Sequence, residues 1–212
     1  MTALRVGLTG GLACGKSFVG RTLETLGAHL IHADDLGHQS LAPDGEAYHP
    51  AIREFGRDIL DAHGHVDRHR LATLVFADPG RLAKLNAIVH PAVRRLQQAM
   101  EQDIRTADPQ AMIVFEAAIL IEIGTYTNYD RIILVTCDEQ QQIERAMSRG
   151  GVTLADVKAR LSRQLPLDVK RKFADYIIDT SGTKEDTIRQ TQAVYEALRL
   201  LTPDSTGRDG RV

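Results

Sequence analysis

The sequence predicts an α/β protein: a five-stranded parallel sheet flanked by helices, with a helical insertion and a helical lid. Three observations predict it. At residues 4–26 a short apolar strand pattern (Leu4, Val6, Leu8) passes through a glycine-rich loop into a helix pattern. Two later segments, Met112-Ile113-Val114-Phe115 and Arg131-Ile132-Ile133-Leu134-Val135-Thr136, are apolar without alternation, as strands covered on both faces are. Before them lies a helical pattern over residues 36–107, too long for a simple crossover between sheet strands.

The first element carries the most chemistry. Gly10-Gly11-Leu12-Ala13-Cys14-Gly15-Lys16-Ser17 fits G-x-x-x-x-G-K-[ST] at every fixed position, in the strand-to-helix setting that a phosphate-binding loop requires. Glycines let the backbone curl so that successive N–H groups converge on a phosphate. The following helix, expected over 17–26, adds its free N-terminal donors and positive dipole end. Gly11, Ala13, Cys14, Gly15, Lys16, Ser17 and Phe18 are therefore the expected nucleotide-binding set. Lys16 supplies charge to the β- and γ-phosphates, and the Ser17 hydroxyl can ligate Mg²⁺. A glycine turn with an incidental Lys-Ser is the plain alternative, and it leaves the agreement of motif and setting unexplained. Cys14 sits where a helix N-terminus lowers a thiol pKa, although a passive backbone donor is the preferred reading of this residue.

Bulk properties bound the rest. The 212 residues are 25% charged and 43% hydrophobic, which suits a globular domain without a membrane span. A formal charge of −2 argues against a broad nucleic-acid surface. Two cysteines, Cys14 and Cys137, make a disulfide framework unexpected, and Cys137, closing an apolar run, is expected to be buried. The N-terminus does not read as a signal peptide, because Arg5 and several glycines interrupt it. The expectation is a cytoplasmic protein, a monomer or weak homo-oligomer, that binds neither nucleic acid nor membrane.

In chain order, Phe18, Val19, Leu23 and Leu26 face inward on the first helix and Gly27 stops it. A second strand is expected to end at Asp34. Ligands of open parallel sheets lie beyond the carboxyl ends of strands, so this acid would serve the loop's ligand. Of Asp34 and Asp35, one is expected to cap the next helix. Within 36–107, Pro91 is expected to kink or divide a helix. His63, His65 and His69 read as a solvated turn rather than a metal site, since no further ligand accompanies them. His90, on the apolar side of its helix, reads as a packed or hydrogen-bonded structural histidine before a substrate contact. Glu116 ends a buried strand where an acid can hold Mg²⁺ through water; its alternative is a carboxylate paired with a base. Glu122 either faces the site or caps a turn.

Residues 138–174 form the expected lid. Arg145 and Arg149 share one helix register, Gly150-Gly151 breaks it, and Thr153-Leu154-Ala155-Asp156 resembles a capping box. Arg160, Arg163, Lys170, Arg171 and Lys172 make the segment basic. Such a lid can close over a triphosphate and neutralise the transferring group. A last strand starts near Asp175, and Ile188, Val194, Leu198 and Leu201 mark a closing helix. The expected layout is one kinase domain over 1–202, with core 1–35, 108–137 and 175–202, insertion 36–107 and a disordered tail at 203–212.

Further motifs, in order, resemble those of the dephospho-CoA kinase family, one of the P-loop nucleoside monophosphate kinase-like families. Gly7-Leu8-Thr9-Gly10-Gly11 enters the loop in that family's manner. Ile31-His32-Ala33-Asp34 is similar to its I-D-A-D, and Gly64-His65-Val66-Asp67-Arg68 with Leu71 to its G-x-[LV]-[DN]-R-x-x-L. Val75-Phe76 and His90-Pro91 are similar to its V-F and H-P. Glu116-Ala117-Ala118-Ile119-Leu120-Ile121-Glu122 resembles D-x-P-L-L-F-E. Arg160, Gln164 and Lys172 with Ala174-Asp175 resemble R-x-x-x-Q…K…A-D, and Ile178-Asp179-Thr180-Ser181-Gly182 resembles I-D-N-x-G. Four departures stand out: His32 and Glu116 each replace an Asp, Ala118 replaces Pro, and Gly150-Gly151 replaces Arg-Asp.

The resemblance implies a P-loop kinase that moves the γ-phosphoryl of ATP to the 3′-hydroxyl of dephospho-CoA, with Mg²⁺ as cofactor. It implies Asp34 as the acid that orients or deprotonates the acceptor, and Arg149, then Arg145, as neutralisers of the transition state. It implies Asp34, Asp67, Arg68, His90 and Glu122 near the acceptor. Two alternatives stay open. One is another small-molecule or nucleotide kinase on this scaffold. The other is a nucleotide switch, which the lack of an N-K-x-D motif disfavours.

Overall fold

The computed structural model describes residues 3–76, 78–148 and 150–201. Arg149 and the expected tail at 203–212 lie outside the described residues. Five strands form one sheet: β1 (Leu4–Gly10), β2 (His29–His32), β3 (Met112–Glu116), β4 (Arg131–Thr136) and β5 (Tyr176–Asp179). Their order is β2-β3-β1-β4-β5. β1 runs parallel to β3 and β4, and β4 parallel to β5, so the expected α/β class and five-stranded parallel sheet are observed. β3 is buried along its whole length and β4 except for its first residue, which is why these two read as apolar runs; β1 is likewise buried except at Arg5.

Register brings the chemistry-bearing strand ends together. Leu8 pairs with Glu116, and Gly10 with Val135. The last approach is close: a Cβ on Gly10 would lie 2.3 Å from the Val135 carbonyl oxygen, so only glycine lets β1 leave the sheet here. Helices α1 (Lys16–Thr25) and α9 (Lys184–Arg199) contribute Val19, Leu23, Val194 and Leu198 to a core that includes Val6, Leu8, Ile133, Val135 and Ile178. α9 starts at a capping box in which Thr183 Oγ1 accepts the Asp186 N–H while Asp186 Oδ2 accepts the Thr183 N–H.

The chain falls into two compact units, one made of the residues up to Ile31 and from Ile104 onward, the other of His32–Asp103. The second unit holds α2 (Ala33–Ser40), α3 (Tyr48–Phe55), α4 (Arg68–Phe76) and most of α5 (Pro79–Ala107). It has its own small core of Ala51, Ile59, Leu71 and Val75, ringed by half-buried leucines and Phe55.

Several sequence expectations need correction. β2 stops at His32 rather than Asp34, because α2 begins at Ala33. The cap of α2 is His32, so neither Asp34 nor Asp35 is the capping residue; both lie in the first turn, where acids complement the helix dipole. Pro91 lies inside α5 and does not divide it in two. Leu201 lies past the end of α9 and is exposed.

The segment expected to be a lid comprises α6 (Glu139–Ser148), α7 (Leu154–Leu161) and α8 (Leu167–Arg171). The capping box expected at Thr153 and Asp156 opens α7. Ala146 and Val157 bury themselves against Ala13, with Leu12, Ile143, Val152 and Leu161 packed around them. The apolar face of α6 and α7 therefore rests on the glycine-rich loop itself.

Candidate active site

The loop between β1 and α1 is bent by two left-handed residues, Ala13 (φ 55°) and Gly15 (φ 82°). Ala13 is the single non-glycine residue with positive φ among the described residues, a mark of a conformation imposed by its surroundings. Lys16 Nζ curls back to donate to the Gly11 carbonyl at 2.9 Å and approaches the Gly10 carbonyl at 3.5 Å. Its ammonium is thus held over the loop. Among the described residues no side chain caps α1, so none competes with an anion for that helix end.

Ser17 Oγ donates to Glu116 Oε1 at 2.9 Å. The Ser17 residue is exposed, while Glu116 is buried at the end of β3. A hydroxyl and a carboxylate side by side are hard oxygen donors, the set that suits Mg²⁺ completed by water and phosphate oxygens rather than zinc. The residues fit the ion that the loop motif implies.

Loops from both sides brace this centre. Thr180, just past β5, donates from Oγ1 to the Cys14 carbonyl at 2.9 Å. Arg145 of α6 donates to Thr180 Oγ1 (3.0 Å) and to the Thr180 carbonyl (2.7 Å). The guanidinium of Arg145, an expected neutraliser of transferring charge, holds the Thr180 turn against the loop. Gln164, at the far end of the lid, accepts the Leu12 N–H at 3.0 Å.

Cys14 and Cys137 meet inside this frame. Cys137 Sγ donates to Cys14 Sγ at 3.3 Å, and both thiols are buried and free. The donated hydrogen bond, aided by the Lys16 charge and opposed by burial, lowers the Cys14 pKa to about 7. Donating that bond, together with burial, pushes Cys137 upward.

Lys170 of α8 is the residue that sequence reasoning failed to single out. It is fully buried, with Nζ 2.6 Å from Glu122 Oε1, 3.3 Å from the Ala118 carbonyl and 3.5 Å from the Gly10 carbonyl. Glu122 Oε1 also accepts the Leu165 N–H at 3.2 Å. Glu122, expected near the acceptor, is the counter-ion of this buried lysine; no other charge compensates that ammonium among its described contacts. Nothing local separates Lys170 from Arg171 and Lys172; α8 buries only the first of them.

The remaining expected residues lie in the second unit. Asp34 is exposed in the first turn of α2. Asp67 caps α4: Oδ1 accepts the N–H groups of His69 and Arg70, and Oδ2 lies 3.1 Å from Arg70 Nε. That is a structural task which its expected acceptor role did not include. Arg68 is exposed on the same first turn. His90 is also exposed, not packed as expected; what shielding its ring has, with Arg94 one turn on, lowers its pKa. The turn carrying His63 and His65 is organised by Asp61, whose Oδ1 accepts both backbone N–H groups. Those bonds, the His65 one first, hold the Asp61 carboxyl below its ordinary range.

A family model described as dephospho-CoA kinase matches residues 4–186, a span that contains every element described above up to the start of α9. The chain belongs to the dephospho-CoA kinase family. The dephospho-CoA kinase of Aquifex aeolicus (strain VF5) is 39% identical over 194 residues, covering 92% of this chain and 97% of that relative. The enzyme of the same name from Syntrophus aciditrophicus (strain SB) is 40% identical over 195 residues, covering 92% and 83%. Among solved structures, a Thermus thermophilus protein aligns with a TM-score of 0.78 at 32% identity, covering 93% of this chain and 99% of its own. The dephospho-CoA kinase from Campylobacter jejuni aligns with a TM-score of 0.69 at 25% identity, covering 94% and 98%.

Family membership gives the departures from the motif pattern their structural meaning. Glu116 is one methylene longer than the usual Asp, yet it still reaches Ser17 Oγ, and Gly20 beneath it offers no side chain: a Cβ there would lie 3.3 Å from Glu116 Oε2. Ala118 keeps the carbonyl that accepts from Thr9 Oγ1 and Lys170, which a proline would also keep. Gly150 and Gly151 take φ of 75° and 71° between α6 and α7, two consecutive left-handed residues that Arg-Asp would adopt only with strain.

Proposed function

We propose that this protein transfers the γ-phosphoryl group of ATP to the 3′-hydroxyl of the ribose of dephospho-CoA, giving CoA and ADP. The observation that carries the reading is the loop with Lys16 above it and Ser17 hydrogen-bonded to Glu116, in a chain of this family. Gly11, Ala13, Cys14, Gly15 and Phe18 line the donor site with backbone amides, and Lys16 places charge beside the β- and γ-phosphates. Ser17, and Glu116 through water, would hold Mg²⁺, which when bound neutralises phosphate charge. Asp34 orients or deprotonates the acceptor hydroxyl. Arg149 supplies positive charge to the transferring group, while Arg145 keeps the Thr180 turn in place. Arg68 and His90 contact the acceptor, and Asp67 supports Arg68 by fixing the start of α4. Positioning and charge neutralisation supply most of the rate in such transfers.

The reading places the reaction in the cytoplasm. It is tested by incubating the protein with ATP, Mg²⁺ and a panel of acceptors, with products identified by mass. CoA as the dominant product supports it. Phosphorylation of a free nucleotide or another alcohol in preference to dephospho-CoA would replace it with the broader small-molecule kinase reading.

A further inference from the structure

We propose that Cys14 and Cys137 are a modification site: a dithiol that a peroxide oxidises to a disulfide across the phosphate loop, reversibly weakening nucleotide binding. The proposal rests on the loop being the ATP site. The kinase reaction uses neither sulfur, so chemistry at this pair is free to act on the reaction from outside it.

Geometry brings the pair together. Cys14 lies in the loop and Cys137 immediately follows β4, at the carboxyl end of the strand that pairs with β1. The sulfurs are 3.3 Å apart, and a disulfide needs about 2.05 Å. They must therefore close by roughly 1.2 Å. The loop has little slack for this. A Cβ on Gly11 would stand 2.8 Å from Cys14 Sγ, so the sulfur is packed directly against the loop backbone at Gly11. The Cys14 carbonyl is tied to Thr180, and left-handed Ala13 and Gly15 flank the residue. Drawing Cys14 toward β4 thus displaces the amides that face a phosphate.

The chemistry is complete with hydrogen peroxide as oxidant. The Cys14 thiolate attacks one peroxide oxygen, the O–O bond breaks, and the leaving hydroxide takes a proton to become water, leaving a sulfenic acid on Cys14. The Cys137 sulfur then attacks that sulfur, the S–O bond breaks, and a second water leaves with the Cys137 proton. Two thiols are oxidised by two electrons and one peroxide is reduced to two waters. Cys14 is the attacking sulfur because Cys137 donates to it and Lys16 lies nearby, both favouring its thiolate. Cys137 is placed as the resolving thiol by the same hydrogen bond. Thiol reductants reverse the bond by exchange.

The test exposes the reduced protein to hydrogen peroxide. It then reads intact mass, the cross-linked peptide and the affinity for a fluorescent ATP analogue without acceptor. The expected result is a loss of two hydrogens, a peptide joining Cys14 to Cys137, and an affinity lower by roughly a hundredfold, the scale of losing one or two hydrogen bonds to a charged phosphate. Dithiothreitol restores mass and affinity together. The Cys137→Ser variant binds the analogue as the parent does before oxidation and shows no loss of two hydrogens after it. Both thiols remaining alkylatable overturns the proposal. So does oxygen added to Cys14 without a cross-link, or a cross-link that leaves affinity unchanged. A reduced protein that binds no ATP analogue removes the kinase reading itself, and the mass measurement still reports whether the bond forms.

Discussion

Replacing Lys170 by methionine removes an ammonium that the fold has sealed from water while keeping most of its volume. In the parent, Nζ lies 2.6 Å from Glu122 Oε1 and within 3.5 Å of the Ala118 and Gly10 carbonyls. The Glu122 side chain is only 13% exposed, and apart from Lys170 its described donor is the Leu165 N–H. The variant therefore leaves a nearly buried carboxylate without its counter-charge. Breaking such a pair by deleting one partner costs about 3–5 kcal/mol. For a chain of this size each kcal/mol moves the melting temperature by about 2–4 °C, so a fall of roughly 10 °C is expected by calorimetry. The double variant Lys170→Met with Glu122→Gln should recover most of that loss, because a neutral amide needs no counter-ion and its carbonyl still accepts the Leu165 N–H. A single variant that melts within about 2 °C of the parent would refute the reasoning, since the pair would then contribute nothing net. A double variant no more stable than the single one would refute it as well, by tracing the loss to packing rather than to the stranded charge.

Three further predictions concern the site and the frame. Lys16→Ala should lower kcat by about a hundredfold or more, as loss of a preorganised charge does, and a turnover assay showing the parent's rate would undo the reading of the loop. Asp34→Asn should abolish CoA formation while the affinity for ATP stays at the parent's value; near-normal turnover would take Asp34 out of the mechanism. Thr183→Ala should cost about 1 kcal/mol of unfolding free energy in urea by removing the cap of α9. Its hydrogen bonds, the Thr183 hydroxyl first, hold the Asp186 carboxyl below 3.8 in the folded state. That contribution is present above the unfolded carboxyl value and lost as pH falls through the folded one, so the variant's deficit should shrink below about pH 4. A deficit equal at pH 3 and pH 6 would exclude this linkage.

What the sequence determined by itself is what depends on near neighbours along the chain. The loop from Gly10 to Ser17 is legible because its fixed residues are a few positions apart and each meets a local demand of backbone or charge. The strands around Val114 and Ile133 are legible because burial on both faces leaves an apolar run. The capping box at Thr153 and Asp156 is a four-residue contact. Local rules also misled in places. Pro91 does not divide α5, and Asp34 does not cap α2, because the extent of α5 and the start of α2 at Ala33 are set by more than the nearest residues. Tertiary structure alone decided the rest. It buried Lys170 and left Arg171 and Lys172 in solvent, although the three are adjacent. It gave Glu122 to that lysine and Arg145 to Thr180. It brought Cys137 to Cys14 across 123 positions of chain. The physical reason is the same in each case. A side chain's partner is fixed by which strands lie side by side and by which face of a helix is covered, and a chain read in order carries no record of either until the sheet has formed.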